Sequence, residues 1–264
     1  MQKFNLHTHT MRCGHAIGLD EQYIKAAIQA EFTMIGISDH IPYKDIYKSG
    51  DRMKFEEVDE YLDSFKDLNE KYKDKINIKI GFEAEYLEDR EDEIFYLRSK
   101  CDYLILGQHC KYMGYDYDYY SSDEDVLDYV KAIETALSKG IYTYLAHPDY
   151  FMLGRRSYDK VCEEAAHRIA QACIKNKTPI EINLNKLKKT DKIIYYNSIQ
   201  DEYEEAYPYP FKEFWKVISQ YNCDVVYGYD AHSPTSLLER YREEKANEIL
   251  KELNLNFIDS IELK

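Results

Sequence analysis

Residues 5–15 read NLHTHTMRCGH, and they hold three of the eight histidines of the chain, His7, His9 and His15. The apolar positions of the run KFNLH, residues 3–7, predict a short strand that ends at these histidines. In an extended strand, residues i and i+2 point to the same face, so His7 and His9 can present both imidazoles to one metal ion. The first strand is therefore expected to end in metal ligands.

Six further runs rich in Ile, Val, Leu and Tyr follow the same plan. The seven runs are KFNLH, TMIGIS, INIKIGF, YLILG, IYTYLA, PIEINL and DVVYGY. Helical periodicity occupies intervals between them, at residues 21–32, 56–74, 124–139, 158–177, 210–221 and 236–253. Strands that alternate with helices predict parallel β/α construction, which an open doubly wound sheet and a closed barrel both satisfy. No Pro-, Gly- or Ser-rich linker divides the chain, so a single domain over residues 1–264 is expected.

The composition excludes several classes of protein. Hydrophobic residues make up 44% of the chain, and no apolar run approaches the roughly 20 residues of a membrane span. The N-terminus lacks the pattern of a signal peptide, and the six scattered cysteines form no C-x-x-C pair, which predicts reduced thiols in the cytoplasm. The net charge of -14 argues against duplex nucleic acid as a partner. It does not argue against a small phosphorylated substrate, because bound metal ions add local positive charge. The oligomeric state is left open.

The other histidines also follow strands, apart from His167 in a predicted helix. These residues are His40, His109, His147 and His232, and the nearby carboxylates are Glu83, Glu85 and Asp230. The carboxyl ends of parallel strands are where α/β folds place their active sites. Imidazole and carboxylate together suit Zn, Mn or Fe(II), and there are too many ligands for one tetrahedral ion. A multinuclear metal centre is predicted.

The candidate ligands belong to a series of seven short motifs, which are, in order, HTHTMRCGH, GISDHIPY, GFEAEY, LGQHC, AHPD, EINLNKLKK and YGYDAHSP. Taken in this order, the motifs resemble those of the PHP superfamily, named for polymerase and histidinol phosphatase. Within that superfamily the chain is most similar to the monofunctional histidinol-phosphate phosphatases. The resemblance implies a distorted (β/α)7 barrel that forms one metal-dependent phosphoesterase domain over residues 1–264.

The resemblance also implies three divalent metal ions, whether Mn, Fe or Zn. The implied ligands are His7, His9, Glu83 and Asp230 for one ion, His15, His40 and His232 for a second, and His109 and His147 for a third that Glu83 bridges. Strand parity does not distinguish Glu83 from Glu85, and Glu83 is preferred because it matches the G-x-E of the family. Asp39 either orients a metal-bound histidine or caps the following loop.

The implied reaction is hydrolysis of a phosphomonoester by a histidinol-phosphatase of histidine biosynthesis, in which L-histidinol phosphate and water give L-histidinol and phosphate. A metal-bridging hydroxide held by Glu83, Asp230 and His9 would attack phosphorus in line, since metal coordination lowers the pKa of water from about 16 to about 7. Phosphate binding is predicted for Arg155 or Arg156 and for Lys188, which stands where the family carries arginine. Tyr and Asp side chains of residues 115–120 are predicted to hold the cationic end of the substrate.

Three other interpretations remain open. One is a PHP phosphoesterase that acts on phosphotyrosine, a nucleotide or another small phosphate ester. A second is a degenerate scaffold without activity, although all nine ligand positions hold coordinating residue types. A third is an amidohydrolase-like enzyme, but LILGQHC and IYTYLAHP offer no lysine at a strand end.

Overall fold

The computed structural model of the chain describes residues 1–46 and 50–264. The strands of this part are β1 Phe4–Asn5, β2 Met34–His40, β3 Asn77–Ala84, β4 Tyr103–Leu106, β5 Cys110–Tyr112, β6 Tyr115–Asp116, β7 Ser157–Tyr158, β8 Ile180–Asn183, β9 Ile193–Asn197, β10 Glu202–Ala206, β11 Asp224–Gly228 and β12 Asn256–Phe257. The α-helices are α1 Asp20–Gln29, α2 Val58–Ser64, α3 Lys66–Tyr72, α4 Glu91–Arg98, α5 Asp123–Ser138, α6 Lys160–Asn176, α7 Lys212–Ile218 and α8 Tyr241–Ile249.

The central strands form two parallel ladders. One has the order β1-β2-β3-β4, and the other has the order β12-β11-β8. In the first ladder His40 is paired with Glu83, so the ends of β2 and β3 bring two predicted ligands side by side. In the second ladder Gly228 is paired with Asn183, which places the end of β11 beside the end of β8. Mixed α/β architecture with parallel strands is therefore confirmed.

Single-residue bridges link the two ladders. Leu145 makes parallel bridges to Leu106 and to Ile180, and Thr8 makes one to Ala231. The predicted strand over residues 141–146 contains only the bridge at Leu145, although its backbone is hydrogen-bonded on both sides. Ala146 N donates to Leu106 O at 2.8 Å, and Glu181 N donates to Leu145 O at 2.8 Å.

Several elements differ from the sequence-based expectation. The helix predicted over residues 56–74 is two helices, α2 and α3, separated at Phe65. Helix α4 was not predicted, because in its acidic sequence only Ile94 and Leu97 are buried and they give too short an apolar pattern. The hairpin β5–β6 and the sheet β10-β9-β7 were also not predicted. In β9 the polar Asn197 is buried while Ile194 is exposed, so hydrophobic alternation is weak there.

Most of the core lies between the strands and the helices that cover them. A smaller apolar cluster contains Phe4, Leu6, Tyr103, Ile105, Tyr144, Ala146 and Val226. These side chains come from four different strand segments, and Ile258, Ile261 and Leu263 of the C-terminal tail pack against them. In the described part of the chain, none of the helices is both long and apolar enough to cross a membrane.

Candidate metal centre

The Glu83 carboxylate is the middle of the site. It is buried at the end of β3, and imidazole nitrogens of five histidines approach it from four other strand ends and loops. The distances are 2.7 Å for His147 Nε2, 3.0 Å for His40 Nδ1, 3.2 Å for His109 Nε2 and 3.3 Å for both His7 Nε2 and His9 Nε2. Gly107 makes room for this carboxylate, since a Cβ at that position would overlap Glu83. The structure therefore selects Glu83 over Glu85 as the central acid.

Asp230 also approaches His7 and His9. Its Oδ1 is 3.3 Å from His9 Nε2 and 3.6 Å from His7 Nε2. The φ angle of Asp230 is 45°, and that of His147 is 26°. Left-handed backbone is uncommon for residues other than glycine, and it is found preferentially at functional sites. Both loops thus hold a strained conformation that brings a predicted ligand inward.

His15 and His232 form the outer edge of the cluster. Their Nε2 atoms are 2.8 Å apart, and the His232 ring stacks on His9 with ring centroids 4.4 Å apart. His15 Nδ1 lies 3.0 Å from the carbonyl oxygen of Gly50. Cys13 also lies close enough to His15 and His232 to share an ion, a position that sequence patterning did not single out. All nine predicted ligands are therefore brought together.

The donor atoms fit metal ions. His7 Nε2, both ring nitrogens of His9 and His40 Nδ1 are buried without a hydrogen-bond partner in the described part of the chain, although carboxylate oxygens lie close by. Leaving buried polar atoms unpaired costs about 1–3 kcal/mol each. A cation between the imidazole and carboxylate lone pairs would remove that cost. Nitrogen and oxygen donors suit Zn, Mn and Fe alike.

The electrostatics also favour bound cations. Burial disfavours the charged form of His9, but the neighbouring carboxylates of Asp230 and Glu83 raise its pKa to about 9. Burial and the neighbouring His9 charge lower the pKa of His40 to about 4. Burial opposes ionisation of Glu83 as well, yet His109 and His7 hold its pKa well below the usual range. The carboxylates thus stabilise positive charge next to them, but only some of the imidazoles can be protonated to supply it.

The PHP domain family matches residues 5–185. The chain belongs to the PHP family.

Curated relatives and a solved structure resemble the chain. A "Probable histidinol-phosphatase" of Deinococcus radiodurans is 26% identical over 153 residues, which are 54% of this chain and 59% of that protein. The histidinol-phosphatase of Bacillus subtilis is 27% identical over 139 residues, 47% of this chain and 52% of that protein. The matches thus span little more than half the length of these relatives.

The structural comparison gives a longer match. Histidinol phosphate phosphatase of Lactococcus lactis, solved with Zn, L-histidinol and phosphate, superposes with a TM-score of 0.69 at 18% identity. The superposition covers 99% of each chain. It shows a shared PHP fold.

Two further carboxylates, Glu181 and Glu85, hydrogen-bond to histidines of the cluster on the ring nitrogen that faces away from Glu83. Glu181 Oε2 accepts a hydrogen bond from His7 Nδ1 at 2.9 Å, and Glu85 Oε1 accepts one from His109 Nδ1 at 3.0 Å. A carboxylate on Nδ1 fixes the ring so that Nε2 faces the metal side. Sequence reasoning missed Glu181, although its position inside the strand run PIEINL was a signal. Gly228 is needed beside it, since a Cβ there would overlap the Glu181 carboxylate.

Asp39 is hydrogen-bonded to Thr10, and its carboxylate also lies within 4.8 Å of donor atoms of His9 and Cys13. Its Oδ1 accepts from Thr10 N at 2.8 Å, and its Oδ2 accepts from Thr10 Oγ1 at 2.6 Å. It therefore fixes the segment directly after His9.

The predicted phosphate-binding cations lie away from the cluster. Arg155 is buried, and its guanidinium is paired with Asp123 and Asp159. Arg156 lines the same cavity as Arg155, in which no cluster histidine takes part. Lys188 is exposed, and its backbone precedes a 3-10 turn at Lys189–Asp191.

A different lysine, Lys186, lines a cavity beside the histidine cluster, which we call the mouth cavity. The mouth cavity, of about 430 Å³, is lined by His15, Asp118, Tyr150, Leu153, Asn185, Lys186, Tyr209 and His232. The Tyr150 ring is 5.0 Å from the His109 ring and stacks with Tyr209 at 6.4 Å. Within the described part of the chain the Lys186 ammonium has no ion-pair partner.

Proposed function

We propose that the protein is a metal-dependent phosphomonoester hydrolase whose substrate is L-histidinol phosphate. The observation that carries the proposal is the approach of five imidazole nitrogens to within 3.3 Å of one buried carboxylate, Glu83. Membership of the PHP family and the names of the relatives support the reaction and the substrate.

The nine predicted ligands would hold the three divalent ions. Bound divalent ions supply Lewis acidity to the phosphoryl group, and they lower the pKa of water from about 16 to about 7. Glu83 would take part in holding them through both of its oxygens, which face different imidazoles. Asp230 and His9 complete the catalytic set in this proposal. Glu181 and Glu85 orient His7 and His109 by accepting hydrogen bonds from their Nδ1 atoms.

The same proposal includes a distorted (β/α)7 barrel that forms one domain over residues 1–264. The bridges of Leu145 to both neighbouring strands and of Thr8 to Ala231 support it, because they join the ends of the two ladders. Closure of this ring would direct the carboxyl ends of all seven segments toward one centre.

Substrate recognition is proposed for the mouth cavity rather than for Arg155, Arg156 and Lys188. Lys186 offers an ammonium to phosphate oxygens, and Asp118 offers a carboxylate to the amino group of the substrate. Tyr150 and Tyr209 offer ring faces to its imidazole. A cation, an anion and a pair of aromatic rings match the three groups of histidinol phosphate.

The deciding experiment compares kcat/KM for L-histidinol phosphate and for p-nitrophenyl phosphate, on protein reconstituted with Mn. We expect a preference of at least about 10³ for histidinol phosphate, equivalent to about 4 kcal/mol of differential transition-state binding. Similar rates on both esters would contradict this substrate and favour another small phosphate ester. No hydrolysis of either ester by the Mn, Fe or Zn forms would contradict the reaction.

The Lys186→Ala variant is expected to lose about 10- to 100-fold in kcat/KM for histidinol phosphate, because a hydrogen bond to a charged group contributes about 1.5–3 kcal/mol. The loss should be measured by steady-state kinetics on the Mn-loaded protein. Lys188→Ala is the matched control, and its kinetics should equal those of the wild type. A larger effect at Lys188 or Arg155 than at Lys186 would restore the sequence-based assignment.

The predicted cytoplasmic location is retained as part of the proposal. All six cysteines are free thiols, and five of them are buried. Reduced, unpaired thiols are typical of proteins in a reducing compartment.

A further inference from the structure

The segment Gly50–Arg52 contacts the cluster on two sides. The carbonyl oxygen of Gly50 lies 3.0 Å from His15 Nδ1. Two residues later, the Arg52 side chain is only 4% exposed, although it carries a permanent charge. A buried guanidinium is costly unless charged and polar partners surround it. The partners of Arg52 therefore indicate what it does.

Arg52 is bound mainly to carboxylates. Its Nη1 and Nη2 donate to the two oxygens of Glu85, at 3.3 and 3.2 Å, and its Nε donates to Asp51 at 2.7 Å. Nη1 also donates to the carbonyl oxygen of Ile41 at 2.9 Å, directly after the end of β2. This fork-like contact with Glu85 fixes the plane of the carboxylate as well as its charge.

Glu85 transmits this geometry to the cluster. Its Oε1, which Arg52 Nη2 contacts, also accepts from His109 Nδ1 at 3.0 Å. The opposite ring nitrogen, His109 Nε2, faces Glu83 at 3.2 Å. A continuous chain of contacts thus runs from Arg52 through Glu85 and His109 to Glu83. Burial alone would raise the pKa of Glu85, but Arg52 and His109 hold it well below its usual range.

We propose that Arg52 is a positioning residue for the metal centre, which acts through Glu85 on His109. By holding the Glu85 carboxylate in one orientation, Arg52 ensures that His109 donates from Nδ1 and presents its Nε2 lone pair to the ion. The Gly50 carbonyl does the same for His15, so one short segment orients two ligands. The inference rests on the proposed function, since it assumes that these histidines hold metal.

The test uses Arg52→Met and Glu85→Gln in the full chain. We expect each variant to bind one of the ions about 10- to 100-fold more weakly than wild type, which is the usual effect of removing a carboxylate partner of a ligating histidine. Metal content should be measured by elemental mass spectrometry during titration with a chelator. The double variant should bind the ion no more weakly than the single variant with the lower affinity, because both changes remove the same contact between Arg52 and Glu85. Arg52→Lys should restore only part of the affinity.

Arg168→Met is the matched control. Arg168 also forms a two-point contact with a glutamate, Glu134, at 2.9 and 2.6 Å, but it lies between helices α5 and α6. Its removal should leave the metal affinity unchanged.

Two results separate the possible failures. If Arg52→Met and Glu85→Gln bind every ion with wild-type affinity and only unfold at a lower temperature, Arg52 serves packing alone and the inference is overturned. If the wild-type protein binds no metal under the same conditions, the proposed function itself fails.

Discussion

The Glu83→Gln protein is expected to lose at least about 10⁴-fold in kcat, a loss comparable to removing one member of a catalytic unit. Glutamine has nearly the same shape as glutamate but no charge and only one oxygen. Glu83 contacts imidazole nitrogens through both oxygens, Oε1 toward His147 and Oε2 toward His40. The change should therefore lower the metal content together with the turnover.

The measurement combines steady-state kinetics with elemental analysis of the purified protein. Glu243→Gln is the matched control, because Glu243 is also buried but bonds to Tyr229 Oη at 2.9 Å and to Gln2 N at 3.2 Å, outside the cluster. That variant should be less stable and yet retain its metal and its turnover. A Glu83→Gln protein with normal metal content and wild-type kinetics would remove Glu83 from the centre.

The positions of the ligands were largely predictable from the sequence because each follows a strand or its loop. His7 and His9 end the first segment, His40 ends β2, and Asp230 follows β11. Parallel strands carry their carboxyl ends to one side, so residues far apart in sequence become neighbours without further information. The register of β2 and β3, which pairs His40 with Glu83, follows from the same plan.

The choice between neighbouring candidates needed the structure. Glu83 and Glu85 have the same strand parity, and the close approach of Gly107, directly after β4, to Glu83 is a contact between neighbouring strand segments. Lys186 and Lys188 are only two residues apart, but Lys186 lines the cavity beside His15 and His232, whereas Lys188 is exposed at the start of a turn. Arg155 follows the AHPD segment, yet its partner Asp123 lies 32 residues earlier. Such partners depend on packing between elements, which no local pattern contains.

Among changes in solution conditions, removal of metal is expected to have the largest effect on thermal stability and turnover. An ion at 1,000 times its Kd stabilises the folded state by about 4 kcal/mol, and removal of one such ion from a protein of this size corresponds to about 8–16 °C in Tm. Removal with a chelator should abolish turnover and lower Tm together, and Mn should restore both. Differential scanning calorimetry on the two forms measures the shift. Equal Tm values for the two forms would contradict the assignment of a metal centre.

The pH dependence of the metal-free protein follows from its histidines. The pKa is raised to about 9 at His9 and to about 10 at His109, because nearby carboxylates outweigh burial. Their stabilising contribution is complete below pH 6.5 and is lost as the pH rises through about 9 for His9 and about 10 for His109. Burial lowers the pKa to about 4 at His40 and to about 3 at His232, so their contribution is present above pH 6.5 and is lost as the pH falls toward 4. The metal-free protein should therefore be most stable near pH 6.5.

Metal ions should remove the alkaline half of this dependence, because they replace the protons on the ligating nitrogens and bind more tightly as protons leave. The Tm difference between the Mn-loaded and metal-free forms should thus grow from pH 6.5 to pH 9. His167→Gln is the control, since His167 lies in helix α6 and its Nδ1 contacts Tyr221 Oη at 2.8 Å. This variant should keep the wild-type pH profile in both forms. A Tm difference that stays constant across this range would show that the buried imidazoles carry no extra proton in the metal-free protein.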